Sequence, residues 1–172
     1  SLQRLGVPVQ VDHGSQTISL VGCEGNFPVK NASLFVDNSG TTIRFLTAVL
    51  GLVGGDYRLD GVPRMRERPI GPLVNALQSL GSDIVAESPN QSPPVMIRSP
   101  PVSAQRVRIR GDLSSQYLSG LLMAAPLAQQ GLSIEIDGEL VSQAYVRMTI
   151  EMMRSFGCEC RCDDQFTRFD IL

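Results

Sequence analysis

Two apolar patterns take turns along the chain. The runs Thr41–Val53 and Ser115–Ala128 are apolar nearly all round, the mark of helices buried on every side. The runs Arg106–Arg110 and Leu132–Asp137 instead alternate, and the first puts its three arginines on one face. That is the pattern of strands with one wet face. A third pattern, amphipathic at helical spacing, occurs near Ile70–Leu80 and Tyr145–Phe156 and predicts helices lying between core and surface. Buried helices beside half-wet strands predict an inside-out α+β arrangement, with helices within and mixed sheets outside. Pro126 is expected to kink the later buried helix or end it early.

The patterns also repeat. Leu2-Gln3-Arg4-Leu5-Gly6 resembles Leu77-Gln78-Ser79-Leu80-Gly81, and Met153-Arg154-Ser155-Phe156-Gly157 is a looser copy, the glycines standing 75 and 76 residues apart. Each reads as a helix stop closed by Gly. Two strand-like runs follow each stop: Val7–Val11 and Thr17–Val21, Asp83–Glu87 and Val95–Arg98, Cys158–Cys162 and Phe166–Ile171. Upstream, Val36–Thr41 matches Gly111–Gln116, and each opens a helix leading to a strand that ends in Asp-Gly, at Asp60-Gly61 and Asp137-Gly138. The unit is therefore βαβαββ. We read one domain, 1–172, truncated at its N-terminus: 1–30 is the tail of a first unit, 31–102 a second and 103–172 a third. The alternative is a natural chain beginning with a frayed helix. Ser88–Pro94 reads as a hairpin loop and Ser99–Ala104 as a linker between units.

Composition narrows the chemistry. A formal net charge of −2 argues against a general nucleic-acid binder. Lys30 is the only lysine, against fourteen arginines, and His13 is the only histidine, so His-based triads and multi-histidine metal sites are largely excluded. Cys158, Cys160 and Cys162 alternate and would share a strand face with no fourth ligand nearby, so with Cys23 they are expected to be buried reduced thiols rather than metal ligands. No signal peptide and no membrane-length apolar run is visible, which predicts a soluble protein of the cytoplasm.

Asp60–Pro72 sets three arginines and one glutamate, Arg64, Arg66, Glu67 and Arg68, in a stretch stiffened by proline and glycine. Guanidinium groups grip carboxylates and phosphates with paired hydrogen bonds, so the loop points to a small anion. Its alternative is a solvated turn. Helix starts add free N–H groups and partial positive charge. Asn38-Ser39-Gly40-Thr41-Thr42 opens one helix, with Gly40 allowing close backbone approach. Asp112–Gln116 and Ser142–Tyr145 open two others, and the arginine loop precedes the fourth. Singly, their serines and threonines read as N-caps; together the repeat brings them to one end. Glu67, flanked by arginines, is too acidic to serve as a general base and is expected to orient Arg66 or Arg68.

With these residues the chain resembles the EPSP synthase family, the 3-phosphoshikimate 1-carboxyvinyltransferases. The segments that carry the resemblance are Asn38–Thr41 with Arg44, Pro63–Ile70, Ser114–Tyr117 with Leu121–Ala128, and Ser142 with Tyr145. The resemblance implies an enolpyruvyl transferase-like domain of three βαβαββ units, and transfer of the enolpyruvyl group of phosphoenolpyruvate to the 5-hydroxyl of shikimate 3-phosphate. By resemblance, Ser114, Ser115, Gln116, Ser142 and Tyr145 would bind shikimate 3-phosphate. Gly40, Thr41, Arg64 and Gln116 would meet phosphoenolpyruvate, the site glyphosate would take, supported by Arg44, Arg66, Glu67 and Arg68.

The resemblance implies no cofactor, no metal, no nucleic acid and no membrane. It places the catalytic acid and base in a second domain outside this chain, so this chain alone is expected to bind substrate weakly without turnover. The full enzyme is expected to be a monomer of the cytoplasm, or of the plastid in a plant. The fragment is expected to self-associate through an open sheet edge. Ser39 stands where Ala is common and Phe45 where Pro is common, both bearing on glyphosate sensitivity. Two alternatives are a UDP-N-acetylglucosamine enolpyruvyl transferase-like domain, whose reactive loop cysteine is missing here, and a non-catalytic phosphate-binding module.

Overall fold

The computed structural model describes residues 1–128 and 130–171. Leu172, the end of the expected third unit, lies outside them. After a short 3-10 turn at Leu2–Leu5, the chain forms a hairpin, β1 (Val9–Asp12) and β2 (Thr17–Leu20). Then come β3 (Asn31–Phe35), α1 (Gly40–Val53), β4 (Gly55–Asp60), α2 (Gly71–Ser79), β5 (Ile84–Ala86) and β6 (Val95–Ser99). The same order follows in β7 (Arg106–Arg110), α3 (Ser115–Ala124), β8 (Leu132–Asp137), α4 (Gln143–Ser155), β9 (Cys160–Cys162) and β10 (Arg168–Ile171).

Each full set of strands makes one four-stranded mixed sheet, ordered β3-β4-β6-β5 and β7-β8-β10-β9. In both, the first two strands are parallel and the last two add antiparallel. The registers are equivalent, Phe35 facing Asp60 as Arg110 faces Asp137. The inward residues of the strands, such as Tyr57, Leu59, Ile97, Ile134 and Phe169, are wholly buried. They close over α1 and α3, whose Ala48, Leu50, Leu121 and Leu122 are equally buried. Burying side chains of this size contributes about 1.5–3 kcal/mol each, so the seam between the two helices is the centre of the fold.

Some elements differ from the expected bounds. α3 stops at Ala124 and the chain continues as a 3-10 turn over Ala125–Leu127. Pro126 has no N–H for the α-helical ladder, so the tighter turn takes over. β5, β9 and β10 are shorter than their sequence runs, whereas β6 is one residue longer and takes Ser99 from the linker. Residues 2–5 form a 3-10 turn, not an α-helix, and Gly6 ends it at φ 84°, as a glycine readily does. Among the described residues no helix is long and apolar enough to cross a membrane.

Candidate functional site

Topology collects the helix starts. α1 and α2 follow the parallel strands β3 and β4, and α3 and α4 follow the parallel strands β7 and β8. Within each unit both helices therefore begin at the C-terminal edge of the parallel pair. Side chains then join the two units at that end. Arg44 Nη1 donates to Gln116 Oε1 at 2.5 Å, and Gln116 Nε2 donates to Thr41 Oγ1 at 3.1 Å. The Arg44 guanidinium stands 5.1 Å from the centroid of the Tyr117 ring, and the Tyr117 hydroxyl donates to the Pro69 carbonyl at 2.7 Å. Thr41 and Arg44 of α1, Gln116 and Tyr117 of α3, and the end of the arginine loop are thus one continuous set of contacts.

The α1 start has an unusual neighbour. Ser39 caps the helix, its Oγ accepting from the Thr42 N–H at 3.2 Å. Gly40 is the first helical residue, and a Cβ there would stand 2.5 Å from an Arg68 guanidinium nitrogen. Arg68 Nη1 donates to the Asn38 carbonyl at 3.3 Å. A cation at this end opposes the helix dipole. Arg68 therefore lies where an anion would be favoured by both the free N–H groups and the guanidinium.

The other starts are less committed. Ser114 caps α3, its Oγ accepting from the Gln116 N–H at 3.3 Å, and half-buried Ser115 is the first helical residue. Ser142 precedes α4 in the left-handed region at φ 57° and makes no side-chain capping bond. Tyr145 is exposed. One turn further along, the Ser119 and Thr149 hydroxyls meet at 2.8 Å, which ties α3 to α4.

Within the arginine loop the chain makes a 3-10 turn over Met65–Glu67, with Met65 wholly buried beneath it. Residues i and i+3 eclipse in such a turn. Arg64 and Glu67 therefore share one side and form an ion pair with each other. Glu67 does not orient Arg66 or Arg68, contrary to the expectation from sequence. Arg66 falls on the other side and grips Asp60 with two bonds, Nε to Oδ1 at 2.9 Å and Nη2 to Oδ2 at 2.7 Å. Arg58 Nη1 adds a third at 3.0 Å and the Gly61 N–H a fourth at 2.8 Å. Burial alone would push the Asp60 carboxyl up, but the bonds from Arg66, Gly61 and Arg58 outweigh it and hold the carboxyl below its ordinary value.

In the sequence Asp60 marks the end of a strand and the start of the arginine stretch, and Tyr117 belongs to a motif; in the structure both brace the loop. A carboxylate ending a strand six residues before an arginine was the available signal. At the far end of the third unit, burial and then the neighbouring Cys158 and Cys162 push the Cys160 thiol up to about 11. It is therefore protonated at neutral pH. Among the described residues no group of three or more His, Cys, Asp or Glu is placed to hold a metal ion.

The arrangement can hold an anion between the α1 start, Gln116, exposed Arg64 and half-buried Arg68. It contains no nucleophile–base pair among the described residues named here. Compared with known proteins, residues 1–171 match the family described as EPSP synthase (3-phosphoshikimate 1-carboxyvinyltransferase). The chain is 48% identical over 163 residues to a 3-phosphoshikimate 1-carboxyvinyltransferase of Thiobacillus denitrificans, covering 95% of this chain and 38% of that protein. It is 45% identical over 170 residues to the protein of that name in Nitrosomonas europaea, covering 98% of this chain and 39% of the relative. EPSP synthase from Acinetobacter baumannii has the same fold, with a TM-score of 0.80 at 20% identity over 99% of this chain and 37% of that one. The chain spans roughly two-fifths of the length of the curated relatives it matches.

Proposed function

The chain belongs to the EPSP synthase family, and on that premise we propose that it forms most of the N-terminal, substrate-binding domain of a transferase. The enzyme moves the enolpyruvyl group of phosphoenolpyruvate to the 5-hydroxyl of shikimate 3-phosphate and releases phosphate. Ser114, Ser115, Gln116, Ser142 and Tyr145 hold shikimate 3-phosphate. Gly40, Thr41, Arg64 and Gln116 hold phosphoenolpyruvate, and glyphosate competes there. A second domain supplies the acid and base and closes over both ligands.

The observation that carries this reading is the bridge from Thr41 through Gln116 to Arg44, set beside the arginine loop. It aims an amide, a hydroxyl and guanidinium groups into one place at the helix starts. These are the groups that phosphate and carboxylate oxygens need. Arg44 holds Gln116 by its carbonyl end, which leaves the amide nitrogen to the Thr41 side. Asp60 holds Arg66, which keeps the loop's backbone in place and leaves Arg64, paired only with exposed Glu67, to meet the ligand.

We assign the enzyme to the cytoplasm, or to the plastid in a plant, and the full enzyme to the monomeric state. The 172-residue chain has one sheet of only two strands, in which β2 bonds to β1 alone. Self-association of this chain through that free edge follows from its unpaired N–H and C=O groups; sedimentation showing a monomer at all concentrations would remove it.

Calorimetry with shikimate 3-phosphate tests the site. Saturable binding is expected, weakened at least tenfold, or about 1.4 kcal/mol, by Ser115→Ala. Phosphoenolpyruvate binding should weaken likewise in Arg64→Ala. Unchanged affinity in both variants would sink the assignment, and measurable turnover by these 172 residues alone would overturn the placement of the acid and base elsewhere.

A further inference from the structure

A groove of about 700 Å3 lies between α2 of the second unit and the outer edge of β7 in the third. That is the size of a small-molecule site. One wall carries Asn75 and Ser79 of α2 with Gln91 beside them, and the other carries Arg106, Arg108 and Arg110. None of the residues assigned above to either substrate lines it.

The scaffold does not need those arginines. β3 is the equivalent strand of the second unit, with the same parallel register to its neighbour, and carries Asn31, Ser33 and Phe35 at the three positions. The same architecture thus stands with a neutral edge in one unit and three positive charges in the other. Alternate residues of a strand are about 6.4–6.8 Å apart on one face, so the three arginines project from one face of β7 at regular backbone intervals. Val107 and Ile109 point to the strand's other face, into the core, and fix β7 in place beside the groove.

The arginines are also available. Arg108 pairs with Glu135 at 3.0 Å and Arg110 with Asp112 at 2.6 Å, but these side chains are 71% and 58% exposed. Exposed pairs of this kind are worth about 0–1 kcal/mol and open readily to a better acceptor. Arg106 makes no ion pair among the described residues, and Asp170 is paired with Arg168 at 3.0 Å. Glu135 is the one acidic side chain in the lining, so the groove stays positive although the chain as a whole is net −2.

We propose that the α2–β7 groove binds a small polyanion with two or more phosphate or carboxylate groups, held by the row Arg106, Arg108 and Arg110. Bidentate guanidinium contacts take the charged groups, while Asn75, Ser79 and Gln91 take remaining oxygens from the opposite wall. The ligand straps α2 to β7, so it stabilises the junction of the two units by mass action.

Calorimetry with tripolyphosphate, with orthophosphate at matched ionic strength as the single-charge-group control, tests it. Saturable one-to-one binding is expected, at least tenfold tighter for tripolyphosphate. The double variant Arg106→Asn, Arg108→Ser gives β7 the residues β3 already carries; it should fold and lose that binding at least tenfold. Arg64→Ala should leave it unchanged, which separates this site from the helix-start cluster. In the unsubstituted chain, amide shifts on titration should fall on residues 75–79 and 106–110. Tripolyphosphate binding no tighter than orthophosphate, loss on Arg64→Ala instead of on the double variant, or shifts confined to residues 38–44 and 61–68 would each overturn it.

Discussion

After β4 and after β8 the chain turns the same corner and then does two different things. The corner itself is shared: Val36 N–H bonds to the Asp60 carbonyl at 2.9 Å, and at the equivalent place Gly111 N–H bonds to the Asp137 carbonyl at 3.0 Å. A glycine follows each aspartate, but for different reasons. At Gly61 a side chain would run into the Asp37 carbonyl and Met65, whereas Gly138 has open space and a φ of +82°. Beyond the corner, residues 62–70 form the arginine loop, while only residues 139–142 lead into α4. Asp60 is nearly buried and holds Arg66 and Arg58; Asp137 is exposed. The repeat supplies a common frame, and one extended loop, with the aspartate turned into its brace, makes the two units chemically unlike.

Removing that brace should produce the largest difference between the units. Asp60→Ala strips four hydrogen bonds from a mostly buried group and leaves Arg66 and the Gly61 N–H without their partner. Because Arg66 is half exposed and can rehydrate, the expected cost is about 1–3 kcal/mol rather than that of a fully buried pair. Asp137→Ala, at the matching corner, should stay within about 0.5 kcal/mol. Urea midpoints measure both. Equal losses would mean that the corner, not the loop, is what Asp60 supports.

The next effect reads the bridge between units. Tyr117→Phe keeps the ring beneath Arg44 but loses the bond to the Pro69 carbonyl. A single bond of this kind is worth about 0.5–1.5 kcal/mol. The same variant should loosen the arginine loop, seen as faster amide exchange over residues 62–70 with the 139–142 loop unchanged. Exchange that quickens in both loops alike would assign Tyr117 to the common core instead.

Acid sharpens the comparison further. The folded Asp60 carboxyl sits below its ordinary value of 3.8, so the native state binds its proton less readily than the unfolded chain. Its contribution to stability is therefore complete above that ordinary value and is lost as pH falls through the lower folded value. Stability of the unsubstituted chain should drop as pH falls below about 4, and Asp60→Asn should drop less over the same window. Identical acid slopes in the two proteins would show that other carboxylates govern the window.

Much of the frame was legible from period and punctuation alone. Alternation at Arg106–Arg110, all-round apolarity at Thr41–Val53 and the glycines at 6, 81 and 157 are local signals, and each names an element or its end. The helix starts were legible too, since capping residues lie next to what they cap. What the sequence could not show was pairing across distance. Glu67 has three arginines within three residues, and only the 3-10 turn decides that Arg64 faces it. Gln116 meets Arg44 across 72 positions and Tyr117 reaches Pro69 across 48, contacts that depend on how α1 and α3 cross. The α2–β7 groove likewise exists only once two units are side by side.

The smallest effect on stability, and the most selective on binding, belongs to Gly40. Its counterpart in the third unit is Ser115, also the first residue of its helix. The three atoms that a new Cβ at position 40 would crowd most belong to the Arg68 guanidinium, the far end of a flexible side chain. Ala also suits a helix better than Gly by up to about 1 kcal/mol, so Gly40→Ala should leave the urea midpoint within about 0.5 kcal/mol of the parent. Yet the methyl group would displace Arg68 and cover the N–H groups of the α1 start, where the proposed phosphoenolpyruvate subsite needs close approach. Calorimetric affinity for phosphoenolpyruvate should fall at least tenfold, while affinity for shikimate 3-phosphate, assigned to the α3 and α4 starts, should change by less than about threefold, under 0.7 kcal/mol. Parallel losses for both ligands would show that the two units share one site at the α1 start rather than dividing the substrates between them.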